Sequence, residues 1–167
     1  MTTVLIIGRF QPFHLGHLKL IEKFAKNHPN LVIGIGSSQE KNTRENPFSA
    51  SERKEMIVKS LKIPKKKYTI VDIPDVNDDK KWVSWVVSLT PKFDVVGTNA
   101  KFERGLFEKA GFKVEETRLF NRDEYSGTRI RDRILNGGEW KNLVPAGTAA
   151  VMEKINAAER IRKLYKT

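Results

Sequence analysis

Cysteine is absent from the 167-residue sequence, which excludes disulfide bonds and thiolate-bound metals. No apolar run approaches the roughly 18 residues that a membrane-spanning helix needs. The N-terminal residues MTTVLIIGRF lack the basic and long apolar segments of a secretory signal, and no low-complexity linker or internal repeat interrupts the chain. We therefore expect a single cytoplasmic domain over residues 1–167, with a basic helical tail over about residues 151–167.

Acidic residues are scarce relative to basic ones. The chain has 31 Lys and Arg against 20 Asp and Glu, which gives a formal net charge of +11. Such an excess attracts anions, including nucleic acid, acidic membrane surfaces and phosphorylated small molecules. The Lys65–Lys67 run equally fits plain solvated surface, because no aromatic residue is interleaved to stack on bases. Charge by itself predicts an anionic ligand without saying which.

Strand and helix patterns alternate along the chain. Runs rich in β-branched and aromatic residues predict five strands, at residues 3–8, 31–36, 68–73, 93–97 and 112–116. Between them, apolar residues recur at the three- and four-residue spacing of helices. Repeated strand–helix units predict an α/β fold with right-handed crossovers and a parallel sheet. In such sheets ligands bind in the loops that follow the carboxyl ends of the strands.

Capping residues and apolar spacing mark several predicted helix ends. Ser49, followed three residues later by Glu52, predicts a capping box. Gly137 is placed to end a helix, since glycine readily adopts the left-handed conformation found there. The spacing of Val151 and Ile155 predicts one last helix before the basic tail.

The familiar phosphate-binding loops are missing. Gly34 and Gly36 follow the second predicted strand, but Gln39 stands where a G-x-G-x-x-G motif needs its third glycine. Neither G-x-x-x-x-G-K-[ST] nor G-x-S-x-G occurs. These absences argue against a P-loop enzyme and against a hydrolase built on a serine nucleophile elbow.

The segment after the first predicted strand, GRFQPFHLGH, is the most informative part of the sequence. Gly8 ends the strand and a helix is predicted to start near His14, so its N-terminal N–H groups can bind an anion. His17 shares one face of that helix with His14. Arg9 adds positive charge, and Gly16 lets a ligand approach the backbone. These groups fit a triphosphate; a zinc-binding pair, a histidine nucleophile and histidines that only cap the helix are competing interpretations.

A second candidate segment, YSGTRIR, occupies residues 125–131. Ser126 and Thr128 put two hydroxyls at another predicted helix N-terminus. Arg131, one turn further on, can bind a phosphate with both arms of its guanidinium. Alone, the segment equally fits an ordinary capped helix with basic residues. Together, the two segments predict two helix N-termini directed at one polyphosphate.

Both segments resemble one known family. HLGH at residues 14–17 is similar to the (H/T)-x-G-H signature of the nucleotidyltransferase superfamily, and SGTRIR at residues 126–131 is similar to its S-x-T-x-x-R partner. More closely, the chain resembles the archaeal nicotinamide-nucleotide adenylyltransferases from residue 4 to about residue 164. Shared blocks include residues 36–39, 46–48, 82–84, 89–91, 120–122 and 140–145. The resemblance implies a Rossmann-like, doubly wound parallel sheet of the nucleotidyltransferase type.

The resemblance also implies a reaction. ATP and nicotinamide mononucleotide would give NAD and pyrophosphate in the presence of Mg²⁺, by direct in-line attack of the mononucleotide 5′-phosphate on the ATP α-phosphate. Catalysis would rest on His14, His17, Arg44 and Arg131. The ATP site would comprise Gly8, Arg9, Phe10, His14, Gly16, His17, Asn99, Ser126, Thr128 and Arg131. No protein-bound metal and no protein nucleophile are expected, because such transfer needs positioning and charge neutralisation.

The acceptor side of the implied site is formed by Ser37, Phe48, Asp79 and Trp82. Trp82 would stack on the nicotinamide ring, although its spacing with Val86 also fits core packing. Asp79 stands where the family usually has asparagine. Its carboxylate would accept from the amide N–H₂ and repel the acid form of the mononucleotide. In the alternative interpretation, backbone groups bind the amide and Asp79 faces solvent.

Two other departures from the family pattern leave both motifs intact. Ala100 replaces a proline after Asn99, and Arg129 replaces a usual glutamate. Two rival functions stay open at this point: an adenylyltransferase for another phosphorylated acceptor, FMN or phosphopantetheine, and a basic, non-catalytic nucleic-acid-binding module. We expect no membrane and no nucleic-acid partner. The resemblance also implies a homo-oligomer.

Overall fold

The computed structural model describes residues 2–98, 100–116 and 125–166. Its strands are β1 (Thr3–Gly8), β2 (Asn30–Gly36), β3 (Tyr68–Ile73), β4 (Val95–Gly97) and β5 (Lys113–Glu115). Its helices are α1 (Leu15–Asn27), α2 (Ala50–Ser60), α3 (Asp79–Leu89), α4 (Lys101–Lys109), α5 (Gly127–Leu135), α6 (Ala146–Lys154) and α7 (Ala157–Lys166). Within the described ranges, no helix has the length and hydropathy needed to cross a membrane.

All five strands form one parallel sheet in the order β3-β2-β1-β4-β5. Ile33 of β2 lies between Ile6 of β1 and Ile70 of β3, and Leu5 of β1 pairs with Val96 of β4. From β1 the chain winds outward in both directions, so the predicted Rossmann-like doubly wound sheet is confirmed. The strand order reverses beside β1, and the loop that follows β1 therefore begins at the switch point where such sheets bind ligands.

The predicted strands are confirmed with small shifts at their ends. β4 begins at Val95, two residues later than predicted. Phe93 and Phe112, expected at the starts of β4 and β5, lie outside the strands and stack on each other with ring centroids 4.9 Å apart. Their aromatic character, which suggested strand residues, serves packing instead.

The chain divides into two compact units, each assembled from separate segments. The first comprises Met1–Gly8, Leu20–Ser38 and Ile63–Leu119, and contains all five strands with α3 and α4. The second comprises Arg9–Lys19, Gln39–Lys62 and Phe120–Thr167, and contains α2, α5, α6 and α7. Helix α1 begins in the second unit and ends in the first. A single domain over the whole chain stays a prediction.

The first unit has a core of strand and helix side chains, made of Leu5, Val32, Ile73, Val86, Phe93, Val96 and Phe107. Gly97, at the end of β4, is required by this packing. A Cβ atom there would lie 2.5 Å from the Phe24 ring, which rests against the bare backbone. The small residue therefore lets α1 approach the sheet closely.

The second unit is organised around α2. The predicted capping box is confirmed: Ser49 Oγ accepts from the Glu52 N–H at 3.2 Å, and Glu52 Oε1 accepts from the Ser49 N–H at 2.9 Å. The same carboxylate receives both arms of Arg160, from α7, at 2.7 and 2.8 Å. At the other end of α2, a Cβ atom on Gly147 would lie 2.5 Å from the Lys59 carbonyl carbon, so α6 starts directly against α2.

A helix is present at Val151, as its spacing with Ile155 predicts, and the basic tail that follows forms a second helix. α6 ends at Lys154, Asn156 has a φ of 54°, and α7 begins at Ala157. Asparagine tolerates this left-handed conformation better than most residues, and it breaks a pattern whose apolar spacing looked continuous. The basic tail is therefore an amphipathic helix of its own, which buries Ala157 and Ile161.

Candidate functional site

The side chain of Gln11 holds the loop after β1 in place, because its amide group pairs with the backbone N–H and carbonyl of Phe48. Gln11 Nε2 donates to the Phe48 carbonyl and Gln11 Oε1 accepts from the Phe48 N–H, both at 2.9 Å. Phe10 is buried with a φ of 55°, and its ring meets the His17 ring edge-on at 4.8 Å. The loop is thus held in place before α1 begins, and nothing in the sequence pattern indicated this role of Gln11.

His14 and His17 stack with ring centroids 3.6 Å apart. The Nδ1 atom of His14 accepts from the N–H groups of Gly16 (3.1 Å) and His17 (3.3 Å), and Nδ1 of His17 accepts from the His14 N–H (3.2 Å). Each Nδ1 therefore presents its lone pair to the backbone, and in the neutral ring the proton lies on Nε2. Both histidines cap the helix and also offer an Nε2–H donor to a ligand.

Both histidines are neutral at neutral pH. Burial lowers the pKa of His14 from 6.5 to about 4. Burial, followed by the charge of His14, lowers the pKa of His17 well below its usual value. Protonation would also break the hydrogen bonds to Nδ1. A neutral ring with its proton on Nε2 and its Nδ1 lone pair engaged is a poor nucleophile, which argues against a covalent histidine intermediate.

Gly16 has a different role from the one expected. A Cβ atom there would lie 2.9 Å from His14 Cε1 and 3.0 Å from Tyr125 Cβ. The space that we expected a ligand to use is filled by these two side chains. Gly16 therefore allows the His14 ring to fold back over the first turn of α1, which is the arrangement that orients the ring.

The second motif begins α5, and its predicted cap is confirmed. Ser126 Oγ accepts from the Arg129 N–H at 3.1 Å. Arg131, one turn further on, is only 8% exposed. Its Nη1 donates to the Gln11 carbonyl at 2.7 Å, and its Nη2 donates to Thr128 Oγ1 at 3.4 Å. The two motif segments, predicted to meet, are therefore in direct contact within the second unit.

The contact between the motifs is tight. A Cβ atom on Gly127 would lie 2.8 Å from the Gln11 carbonyl oxygen and 2.9 Å from Arg131 Nη1, so only glycine fits. Burial lowers the pKa of Arg131, and nearby groups including Tyr165 and Glu45 oppose that shift. Arg131 Nε is buried without a hydrogen-bond partner among the described residues. The guanidinium is thus a partly desolvated cation, which strengthens its attraction for an anionic ligand.

Arg44 follows β2 and is exposed. Its Nε donates to the Leu164 carbonyl at 3.2 Å, and its guanidinium carbon lies 5.2 Å from the centre of the Tyr165 ring. Both contacts come from the last turn of α7. The family resemblance implied a role for Arg44 but did not indicate this helix as its neighbour.

Arg53 is a residue that the sequence analysis did not assign to the site. It is fully buried, and it donates to the carbonyls of Arg9 (2.9 Å), Glu40 (3.2 Å) and Ser49 (3.2 Å). It therefore ties the loop after β1 to the loop after β2. One sign was readable in advance: Arg53 falls on the buried face of α2, where an arginine needs a special reason.

The remaining predicted residues near the strand ends have local roles in the first unit. Ser37 is 7% exposed with a φ of 47°, and its Oγ donates to Asp75 Oδ1 at 3.0 Å. Gly8 ends β1 next to Gly36 of β2, where an added Cβ would lie 3.5 Å from the Gly8 carbonyl oxygen. Asn99 lies outside the described residues, as does the shared block at residues 120–122.

Trp82 and Asp79 share one face of α3, as their spacing predicts. The Trp82 ring is partly buried and meets the Phe107 ring edge-on at 5.3 Å, so core packing accounts for part of it. Asp79 is exposed, and with Lys80 and Lys109 it lines a cleft of about 300 Å³ beside α4. Phe48, in the second unit, is fully buried. Contact of these residues with a mononucleotide stays a prediction.

The described residues contain no group of three or more His, Cys, Asp or Glu side chains that could hold a metal ion. The Nδ1 atoms of His14 and His17 are engaged by the backbone. The donors gathered around the loop after β1 are imidazole N–H groups, guanidinium groups and hydroxyls. Such a set suits the oxygens of a polyphosphate.

The fold and the two joined motifs define a nucleotidyltransferase-type α/β protein. Residues 5–133 match the model of the cytidylyltransferase-like family. A bifunctional NMN adenylyltransferase/ADP ribose pyrophosphatase from Francisella tularensis, complexed with AMP and a Mn ion, has a similar fold, with a TM-score of 0.78 and 20% identity. The similarity covers 97% of this chain and 52% of that one, so this chain spans about half the length of the bifunctional protein.

Relatives of similar length are more alike in sequence. The nicotinamide-nucleotide adenylyltransferase of Methanococcus aeolicus is 45% identical over 160 residues, covering 96% of this chain and 93% of that protein. The enzyme of the same name from Archaeoglobus fulgidus is 42% identical over 165 residues, covering 95% and 94%. The chain therefore belongs to the cytidylyltransferase-like family and, within it, to the nicotinamide-nucleotide adenylyltransferases.

Proposed function

We propose that this enzyme transfers the adenylyl group of ATP to nicotinamide mononucleotide, forming NAD and pyrophosphate. The observation that carries the proposal is the 2.7 Å hydrogen bond from Arg131 Nη1 to the Gln11 carbonyl, which joins two motif segments 120 residues apart. It brings the start of α5, with Ser126, Thr128 and Arg131, against the loop that leads to His14 and His17 at the start of α1. The names of the full-length relatives support the choice of acceptor.

The reaction is a direct displacement at phosphorus. An oxygen of the mononucleotide 5′-phosphate bonds to the α-phosphorus of ATP while the bond from that phosphorus to the bridging oxygen breaks. The electron pair leaves with pyrophosphate, and no bond to the protein forms. Such chemistry depends on alignment of the two phosphates and on stabilisation of the charge that develops on the leaving group.

In this mechanism each donor has a separate role. His14 and His17 donate from Nε2 to phosphate oxygens, in directions set by their Nδ1 hydrogen bonds to the backbone. Arg9, Arg44 and Arg131 supply the positive charge, since the two imidazoles are neutral. Ser126 and Thr128 add hydroxyl donors at the start of α5. Donors positioned before the substrate binds need no rearrangement during the reaction, which is what makes them effective.

A divalent cation, Mg²⁺ in this proposal, would accompany ATP. The described residues offer it no cluster of carboxylates or histidines. Mg²⁺ in nucleotide-dependent enzymes is commonly bound through substrate phosphates and water, and the ion would supply charge neutralisation on the triphosphate. Homo-oligomer formation and a cytoplasmic location stay predictions.

The test is an acceptor panel. The full-length protein would be incubated with ATP and Mg²⁺ and, separately, with nicotinamide mononucleotide, nicotinic acid mononucleotide, FMN or phosphopantetheine. Released pyrophosphate and the adenylylated product would be measured by coupled assay and mass spectrometry. We expect NAD and pyrophosphate in equal amounts, and no pyrophosphate without an acceptor.

Two outcomes would replace the proposal. Turnover with FMN or phosphopantetheine but with neither pyridine mononucleotide would assign a different acceptor. No pyrophosphate with any acceptor, together with tight nucleic-acid binding that weakens steeply with salt, would support the non-catalytic module.

A further inference from the structure

Helix α7 lies along the loop that carries Arg44. Near the start of the helix, Arg160 holds the Glu52 carboxylate with both arms and donates to the Pro47 carbonyl at 3.1 Å. One turn later, Leu164 and Tyr165 contact Arg44. Arg160 and Leu164 are four residues apart and share one face of the helix, so the contacts of Arg160 anchor the turn from which Leu164 and Tyr165 reach Arg44.

Tyr165 contacts two of the arginines assigned to the triphosphate. Its ring centre lies 5.2 Å from the Arg44 guanidinium carbon, and Tyr165 is close enough to Arg131 to favour the charged guanidinium, which raises the pKa of Arg131 against the effect of burial. Arg131 is already oriented by Gln11 and Thr128. Arg44 is on an exposed loop, and the last turn of α7 contacts it through the Leu164 carbonyl and the Tyr165 ring.

Arg44 benefits from contacts with α7 because its side chain is long and flexible. An arginine has several rotatable bonds, and ordering it costs conformational entropy. Bringing it near a second arginine adds repulsion between like charges. An aromatic face attracts a guanidinium, and a carbonyl oxygen accepts from it, so both contacts offset these costs before ATP arrives.

We propose that Tyr165 is a positioning residue that orders Arg44 beside Arg131 for the triphosphate. The Tyr165 ring contacts the Arg44 guanidinium, and the Tyr165 hydroxyl lies near Arg131. This inference rests on the proposed function, because it takes both arginines as triphosphate ligands. It assigns a role in ATP use to the C-terminal helix, which neither sequence motif includes.

Three single variants test the role of the ring: Tyr165→Ala, Tyr165→Phe and, as a matched control on the same turn, Lys166→Ala. ATP would be varied at saturating acceptor, and thermal unfolding would be recorded for each protein. Loss of an exposed cation–π contact predicts a fall of about 5-fold in kcat/KM for ATP in Tyr165→Ala. Tyr165→Phe should recover most of that loss, and Lys166→Ala should match the wild type.

A double variant separates positioning from a general structural effect. If Tyr165 acts through Arg44, adding Tyr165→Ala to an Arg44→Ala protein should lower kcat/KM by less than about 2-fold, because the group it positions is gone. An equal loss in both backgrounds would overturn the proposal. So would a Phe variant as impaired as the Ala variant, or a lower melting temperature with unchanged kinetics.

A binding measurement distinguishes failure of this inference from failure of the proposed function. Calorimetric titration with an ATP analogue that is not cleaved between the α and β phosphates needs no acceptor and no turnover. Tyr165→Ala should weaken its binding and Tyr165→Phe should restore it, even if NAD is not the product. Equal affinity for the analogue in the wild type, Tyr165→Ala and Tyr165→Phe would overturn the positioning role.

Discussion

The two compact units differ in how they hold the residues predicted to bind substrates. In the second unit, His14, His17 and Arg131 are hydrogen-bonded to backbone groups of the loop and helix that surround them. In the first unit, Trp82 is partly buried against Phe107, and Asp79 is exposed in the first turn of a helix.

This difference reflects what each ligand would demand. Stabilising phosphate charge requires donors that are already oriented, and orientation leaves a visible network of hydrogen bonds. Stacking on a planar ring requires only an accessible aromatic face. The way in which the other edges of the tryptophan ring pack does not show whether that face binds a ligand. The proposed phosphate residues are therefore recognisable without a ligand, whereas the proposed acceptor residues depend on the experiments below.

The largest expected effect is at His17 in the second unit. His17→Ala should lower turnover by about 10²-fold or more, the usual cost of losing one oriented transition-state donor. His17→Asn is the matched variant, because its amide oxygen can still accept from the His14 N–H while the distal donor is lost. Steady-state kinetics with thermal unfolding would show low turnover in both and a native-like melting temperature in the Asn variant. Wild-type turnover in either would remove His17 from the mechanism.

The neutrality of the stacked histidines predicts a pH dependence of stability. Between pH 6.5 and about 4 the unfolded chain binds a proton on His14 that the folded protein does not. The free energy of unfolding should therefore fall as pH drops through this window, by on the order of 3 kcal/mol for His14. Urea titrations from pH 7.5 to about 4 would measure it. The His14→Asn/His17→Asn double variant should show a flatter profile, and an identical profile would contradict the assigned protonation.

The acceptor residues of the first unit should affect selectivity. Asp79 would favour nicotinamide mononucleotide over its acid form by on the order of 1–3 kcal/mol, the scale of a mismatched polar contact. Asp79→Asn should bring the kcat/KM values for the two acceptors closer together. Trp82→Ala should lower kcat/KM for both acceptors and leave ATP binding nearly unchanged. Trp82→Phe controls for lost packing against Phe107. Equal kcat/KM for the two acceptors in the wild type, or a ratio unchanged in Asp79→Asn, would place Asp79 outside the site.

The smallest of these effects should come from Arg131→Lys, which keeps the positive charge and removes the planar guanidinium with its two arms. Arg131 divides its two arms between Gln11 and Thr128, and a lysine cannot do both. We expect kcat/KM for ATP to fall about 10-fold, equivalent to about 1.4 kcal/mol. Arg133→Lys on the same helix is the control. Full activity in Arg131→Lys would show that a positive charge at this position is sufficient for ATP use, whatever the geometry of its donors.

Helix ends and strands were predictable wherever their causes are local. The reciprocal bonds of Ser49 and Glu52 join residues three apart, and Ser126 caps α5 within its own first turn. Gly137 ends α5 with a φ of 74° for the same reason. The boundary at Asn156 was not predictable in this way: the spacing of Val151 and Ile155 carried the predicted helix to residue 155, whereas α6 ends at Lys154 and the left-handed Asn156 separates it from α7.

The sequence by itself determined the alternating elements, their caps and the two motifs that carry the proposed phosphate donors. Those features depend on side-chain periodicity and on bonds between near neighbours. Only the tertiary structure decided the hydrogen bond of Arg53 to the Arg9 carbonyl, the contact between Arg131 and Gln11, and the contact of Arg44 with Tyr165. Each of these joins residues more than 40 positions apart, and no local preference encodes which distant carbonyl or ring an arginine will find once the elements have packed.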